Sequence, residues 1–385
     1  MTVAPVGPRH APRPNPTTRP RVRAVILLGL ALVGFAISGL ALAAYFQASL
    51  GLQATLLAVL FSALPLLVVI PTFVWLDRFE AEPTWLLVFA FLWGALVSAF
   101  GAAVLNTGAI LAFQATTDPD AALAVTAVVV APLVEEALKG VLVLLVWLLH
   151  RREFDGITDG MVYAGIVAAG FAFTENIQYL GQAYAEGGGA FLAGTFVLRG
   201  IMSPFAHPMF TVLTGIGVGI AATTTRRWLM VAAPLAGYLL AALAHSLWNL
   251  AAVAGGTGLL VVYFLVEVPI FFGFLCLILW VRSREGRLIA DHLSPYADAG
   301  WLSHGEVAML SSMPRRREAR MWARANAGQQ GLASMRAFQD SASELALLRK
   351  RMHHSTADAH AVERERVLLD ALVGQRRVFL GEWAS

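Results

Sequence analysis

The sequence predicts an all-α fold, a polytopic transmembrane helical bundle of about eight spans, on three observations. Hydrophobic residues make up 58% of its 385 positions and charged residues 14%, against about 25% charged in soluble domains. Apolar runs of about 20 residues, the length that crosses a bilayer, recur along the chain. Between those runs, arginine is confined to alternate connections.

Residues 1–23 hold six prolines, five arginines and no acid, too little apolar surface to fold on, and read as a disordered basic N-terminal arm. The expected spans cover about 24–46, 54–76, 84–105, 121–149, 160–182, 189–222, 228–253 and 257–281. Ala41-Leu42-Ala43 resembles a signal cleavage site, but the apolar run before it exceeds a usual signal core. Removing the first span would also break the arginine alternation. Segments 1–23, 77–83, 150–159, 223–227 and the stretch with Arg282, Arg284 and Arg287 carry the arginines. The loops near 47–53, 106–120, 183–188 and 254–256 contain no Lys or Arg. Both termini are therefore expected in the cytoplasm, in a multi-pass protein of the cell membrane.

Residues 24–281 form the expected bundle, and 282–385 an expected cytoplasmic helical tail. Thirteen basic residues lie beyond position 300, mixed with acids, and Ser341–Met352 and Ala361–Phe379 have the periodicity of amphipathic helices. The one cysteine, Cys276, excludes an intramolecular disulfide and a cysteine metal site, and reads as a lipid-facing or packing residue.

Four spans carry polar groups that lipid penalises. The fourth holds Glu135, Glu136 and Lys139 in the middle of an apolar run, where each charge costs roughly 2.5–3.5 kcal/mol. Glu135 and Lys139, four residues apart, share a helix face, and Glu136 points about a hundred degrees away. The fifth span holds Glu175 and Asn176, and the seventh His245 and Asn249, again four apart. The sixth holds Arg199, Ser203 and His207, spaced i, i+4 and i+8, which therefore line one stripe. At about 1.5 Å per residue, Glu135, Glu175, His245 and His207 lie roughly 22, 24, 26 and 28 Å from the cytoplasmic ends of their helices. Helices running in alternate directions thus place these groups in one layer, as convergence on a buried site requires. Pro204 and Pro208 donate no backbone hydrogen bond, which frees carbonyls beside His207. At that depth, irregular backbone is expected only where protein or a watery cavity surrounds it. Such an opening would admit water, or pair with an extended peptide.

Buried glutamates and histidines suit activation of water for hydrolysis, with His and Asn donors for the oxyanion formed when water attacks an amide. The same types, through Glu135, His207 and His245, would equally ligate a divalent metal such as zinc. No H-E-x-x-H helix is present, and spacing alone does not separate the two chemistries. Intramembrane acids and histidines also build proton relays, so a proton- or ion-coupled transporter or channel is the rival class. The absence of paired broken helices in two similar halves argues against it. A non-catalytic membrane sensor is the third.

The EExxK stretch Glu135 to Lys139, the FxxxEN stretch Phe171 to Asn176, His207 in a His-Pro-x-Phe-Thr context, and the His245-xxx-Asn249 pair resemble the motifs of the PrsW intramembrane proteases. The loop Asp77 to Pro83 is similar to that family's, and the resemblance covers about residues 70–281. It implies an intramembrane endopeptidase acting on a single-span membrane protein such as an anti-sigma factor, with lipid as surroundings and no nucleic acid as partner. By likeness to the related CAAX prenyl endopeptidases, Glu135 of the Glu135–Glu136 pair would be the base, and His245 with Asn249 the oxyanion donors. Where those relatives have a histidine, this chain has Glu175, so His207 is the expected water-activating partner with Glu175 orienting it. Lys139, Asn176 and Arg199 would support the site. Members of the family are usually labelled metalloproteases.

Overall fold

A computed structural model describes residues 19–79, 82–151, 154, 156–353 and 360–381. Most of the expected basic arm, 1–18, and Arg152 lie outside these residues. Among the described residues every regular element is helical.

Helix α1 (Arg19–Ala63) is interrupted at Gly51, whose φ of 77° is a conformation natural only to glycine. It is followed by α2 (Leu66–Leu76), α3 (Thr84–Leu92) and, beyond a π-helical turn at Trp93–Ser98, α4 (Ala99–Gln114). Helix α5 (Pro119–Val125) is capped by Asp118, whose carboxylate accepts from the backbone N–H groups of Asp120 and Ala121. A second π-helical turn, Thr126–Val130, leads into α6 (Ala131–Leu149). Helix α7 (Ile157–Phe196), interrupted at Gly188, continues through a third such turn, Val197–Met202, to α8 (Ala206–Thr223). Then come α9 (Arg227–Ala254), α10 (Gly256–Val262), a fourth turn at Tyr263–Glu267, and α11 (Val268–Asp298). Helices α12 (His304–Leu310), α13 (Met313–His353) and α14 (Ala361–Leu380) complete the chain.

Five helical stretches are long and apolar enough to cross a membrane: Leu28–Leu76, Thr84–Gln114, Ile157–Thr223, Arg227–Ala254 and Gly256–Asp298. Their outer faces are studded with exposed apolar side chains such as Leu40, Leu67, Val231 and Leu265. Water would leave that belt unstable, whereas hydrocarbon satisfies it. Cys276 is exposed on α11.

The first half of α7 is the axis of the bundle. Every residue from Gly160 to Phe171 is buried, as expected of a helix that is apolar all round. Small residues let neighbours close on it: a Cβ on Gly160 would sit 2.1 Å from the Gly215 carbonyl oxygen of α8. A second apolar cluster joins the end of α11 to α12, α13 and α14 through Leu293, Leu310, Phe338 and Leu372, and takes in Phe79 from the loop after α2.

Two expectations are corrected. The third span does not end near 105: α4 runs to Gln114, so Asn106, expected in a loop, sits inside a helix. The Ser203 stripe is absent, because the helix stops at Ser203 (φ −126°, ψ 40°) and restarts at Ala206. Pro204 supplies no N–H to carry the ladder across.

Candidate active site

Helix α6 brings Glu135, Glu136 and Lys139 into the interior, with Glu136 and Lys139 wholly buried. Its carbonyl at Leu138 accepts from Trp93 Nε1 (3.1 Å) and Ser98 Oγ (3.2 Å), which fixes the helix against the π-helical turn after α3. Lys139 shares a face with Glu135 in sequence but pairs with Glu136 one position nearer, Nζ to Oε1 at 2.5 Å. Glu136 is the hub of the layer. Its Oε1 also meets His245 Nδ1 at 3.1 Å, and its Oε2 accepts from Thr211 Oγ1 at 2.8 Å. Lys139 Nζ lies 4.5 Å from the centre of the Phe171 ring, a buried cation–π contact.

Glu175 gathers the second group. His207 Nε2 lies 2.8 Å from its Oε2, and the Arg199 guanidinium donates to the same oxygen. Arg199 Nε donates to Asn176 Oδ1 at 2.7 Å, and its guanidinium stacks 3.9 Å from the Tyr179 ring centre. Arg199 and His207 therefore converge through a shared carboxylate, although the helix between them is broken.

The two groups meet where the rings of His207 and His245 stand 5.0 Å apart, nearly perpendicular, with Phe210 stacked on His245. A carboxylate accepts, so the Nδ1 of His245 facing Glu136 carries the proton, and Nε2 presents its lone pair 3.8 Å from Glu135 Oε2. Glu135 Oε1 accepts from Asn106 Nδ2 at 3.1 Å, while Oε2 is buried with no hydrogen-bond partner. Asn249 is not turned to these groups by its first contact. Its Nδ2 donates to the Ala127 carbonyl, in the π-helical turn before α6, at 2.8 Å. Any oxyanion contact falls to its second amide hydrogen.

Glu135, His207 and His245 can each offer one donor atom within 4.8 Å of the other two. His245 has Glu136 on the ring nitrogen opposite the one facing Glu135, the outer-shell carboxylate arrangement of metal-binding imidazoles, and His207 is oriented by Glu175 through Nε2. The Nδ1 of His207 is 3.5 Å from Lys139 Nζ, beyond an ordinary hydrogen bond. Three carboxylates stand against two fixed cations in this layer. Donor types and the open oxygen of Glu135 together fit a divalent cation.

Asn106, Phe210 and Thr211 also line the layer: the last two are the Phe and Thr of the His-Pro-x-Phe-Thr context, to which the sequence assigns no role of their own. Thr211 stood four residues after His207, on the same face, and Asn106 had been assigned to a loop.

Residues 82–274, about half the chain, match the family described as PrsW family intramembrane metalloprotease. The Protease PrsW of Geobacillus kaustophilus is 31% identical over 43% of this chain and 67% of its own. That of Oceanobacillus iheyensis is 30% identical over 46% and 75%, and that of Clostridioides difficile 32% identical over 36% and 55%. No solved structure matches the chain. A membrane bundle with this match over its polar layer belongs to the PrsW family and is an intramembrane peptidase.

Proposed function

We propose that this peptidase cuts a membrane-anchored, single-span protein such as an anti-sigma factor, and that Glu135, His207 and His245 form the water-activating site. The observation that carries this reading is the unpartnered Glu135 Oε2, buried 3.8 Å from His245 Nε2. A buried polar atom without a partner is costly, and here a bound water would supply one. In the proposed reaction Glu135 Oε2 takes the proton of the attacking water and later delivers it to the leaving amine. Glu175 orients His207, Glu136 fixes the tautomer of His245, and Arg199 with Asn176 holds Glu175. Lys139 balances Glu136 and brings positive charge close to His207.

The name of the family includes a metal, and Glu135, His207 and His245 are the residues that would hold it. Such an ion, zinc being the natural candidate for this donor set, supplies Lewis acidity towards water and the peptide carbonyl.

We read the five apolar stretches as part of eight crossings. Leu28–Leu76 and Ile157–Thr223, at 49 and 67 residues, are too long for one crossing; each carries a non-helical glycine, Gly51 or Gly188, and counts as two, whereas Gly256–Asp298 crosses once and continues past residue 281 into the arginine-bearing stretch. Residues 119–149, which carry the Glu–Glu–Lys charges, add one more. Eight crossings put both ends on one side, the cytoplasmic one by the arginine distribution, in the cell membrane. Residues 24–281 are then the bundle and 282–385 the cytoplasmic tail.

The test is cleavage of a tagged single-span substrate co-expressed with Glu135→Gln or His245→Ala. Each variant should insert at the parent level and lose cleavage by about 10²–10⁴-fold. Cleavage retained in both would remove the assignment.

A further inference from the structure

The last span carries an acid that the catalytic layer leaves unused. Glu267 closes the π-helical turn Tyr263–Glu267, is 4% exposed, and its Oε1 has no hydrogen-bond partner among the described residues. It lines a cavity of about 340 Å³ that also includes Pro204, Phe205, Met209 and Trp248. That volume is at the lower end of the range of about 300–1,000 Å³ for ligand pockets. Among the described residues of its wall there is no lysine, arginine or histidine to pair the carboxylate.

The cavity adjoins the catalytic layer on two sides. Ala206 in its wall precedes His207, and Trp248 follows His245 by one helical turn. Its rim includes the broken backbone from Ser203 to Phe205. Tyr263 Oη donates to the Met202 carbonyl at 3.1 Å, tying two π-helical turns together at the edge.

Resting on the peptidase reading above, we propose that this cavity is a substrate side-chain subsite flanking the scissile bond, where Glu267 selects lysine or arginine. A buried carboxylate with no cation in the cavity wall is costly, and a cation brought by the substrate offsets that cost. An apolar side chain would fill the space and leave the oxygen unpaired, the usual way in which a polar site rejects an analogue. Single spans carry lysine and arginine mainly at their ends, where the long stems reach towards the interface. The subsite therefore directs the cut to the end of a span rather than its middle.

The experiment uses full-length protein with Glu135→Gln, which holds substrate uncut, purified in detergent. Its probes are synthetic leucine–alanine single-span peptides carrying one lysine, or norleucine instead, at successive positions. At one register lysine should bind about ten-fold tighter or more than norleucine. Adding Glu267→Gln should bring that ratio to about one, and Glu267→Lys should shift preference to a glutamate peptide. Acetylating the lysine of the peptide should abolish the preference in the unaltered cavity, a measurement that needs no second variant to fold. Equal binding of lysine and norleucine at every register, or a preference that survives Glu267→Gln, would overturn the proposal. Cleavage of the same peptides by the wild-type chain reports separately on the peptidase reading. A lysine preference without cleavage removes the active-site assignment and leaves the subsite; cleavage without preference removes the subsite alone.

Discussion

Lys139 and Arg316 are both buried cations, one at the centre of the bundle and one between the bundle and the last helices, and the hydrogen bonds described for them differ in kind. Lys139 meets the carboxylate of Glu136, an imidazole and an aromatic face. Arg316 is held by the carbonyls of Leu310 (2.7 Å) and Phe79 (3.2 Å) and by Ser343 Oγ (2.7 Å), with its guanidinium 5.0 Å from the Phe79 ring centre. The fork of donors on Arg316 pins three segments far apart in sequence, a positional task suited to guanidinium. In the membrane layer the cation instead neutralises one acid of a pair, so that its neighbour Glu135 keeps an open oxygen beside a histidine lone pair. Burial of charge thus serves assembly at one place and, in the function proposed above, chemistry at the other.

The largest effect expected on this contrast comes from Glu136→Gln. It leaves Lys139 without its counter-charge in hydrocarbon, and losing one partner of a buried pair costs about 3–5 kcal/mol. Thermal unfolding in detergent should show that loss, and the double variant Glu136→Gln/Lys139→Met should recover much of it. Failure of the second change to rescue would mean that Glu136 is held chiefly by His245 and Thr211. Arg316→Ala comes next: it strands the Phe79 and Leu310 carbonyls, and at about 1–3 kcal/mol for an unsatisfied buried group the loss is smaller because the groups left behind are neutral carbonyls rather than a charge. Its signature should be earlier proteolysis of the segment beyond residue 300, with cleavage of substrate by the bundle unchanged. Equal loss in both would show the two regions to be coupled.

Beside Phe79 the same junction buries acids. Asp77 is held up to about 8 by burial, with Glu285 adding to the rise and the Glu82 N–H, 2.6 Å from Oδ2, opposing it. Glu82 and Asp159 carry oxygens within 4.8 Å of it. An acid whose folded pKa is raised binds its proton more tightly folded than unfolded. The protein should therefore lose stability as pH rises from 3.8 towards about 8. Asp77→Asn, which keeps an acceptor for the Glu82 N–H, should flatten the midpoint of unfolding across that window. A profile unaltered by the substitution would assign the pH dependence to another group.

What could be read in advance follows from how unusual each residue is in its surroundings. Glu135, Glu175, His207 and His245 stood out because charge and imidazole are rare in apolar runs, and depth arithmetic placed them in one layer. Helical geometry does not distinguish a partner three residues away from one four away, so the Lys139–Glu136 pair was hidden behind Lys139–Glu135. The stripe through Ser203 failed because a π-helical turn and a break reset the register after Arg199, while the proline that caused it was in plain view. Arg316 was illegible: one arginine among many in a charged segment, it is singled out only by the fold that encloses it.

Asn249 offers the smallest and sharpest test of the contrast between assembly and chemistry, because it stands in the catalytic layer but bonds like Arg316, to a backbone carbonyl. The bond to Ala127 straps α9 to the π-helical turn Thr126–Val130. Asn249→Ala should therefore remove that bond and cost about 1 kcal/mol of stability, with kcat falling less than about ten-fold. An oxyanion donor behaves differently: removing one costs about 10²–10³ in kcat. If kcat falls that far while the unfolding midpoint is unchanged, the second amide hydrogen of Asn249 faces the substrate, and the residue belongs with Glu135 rather than with Arg316.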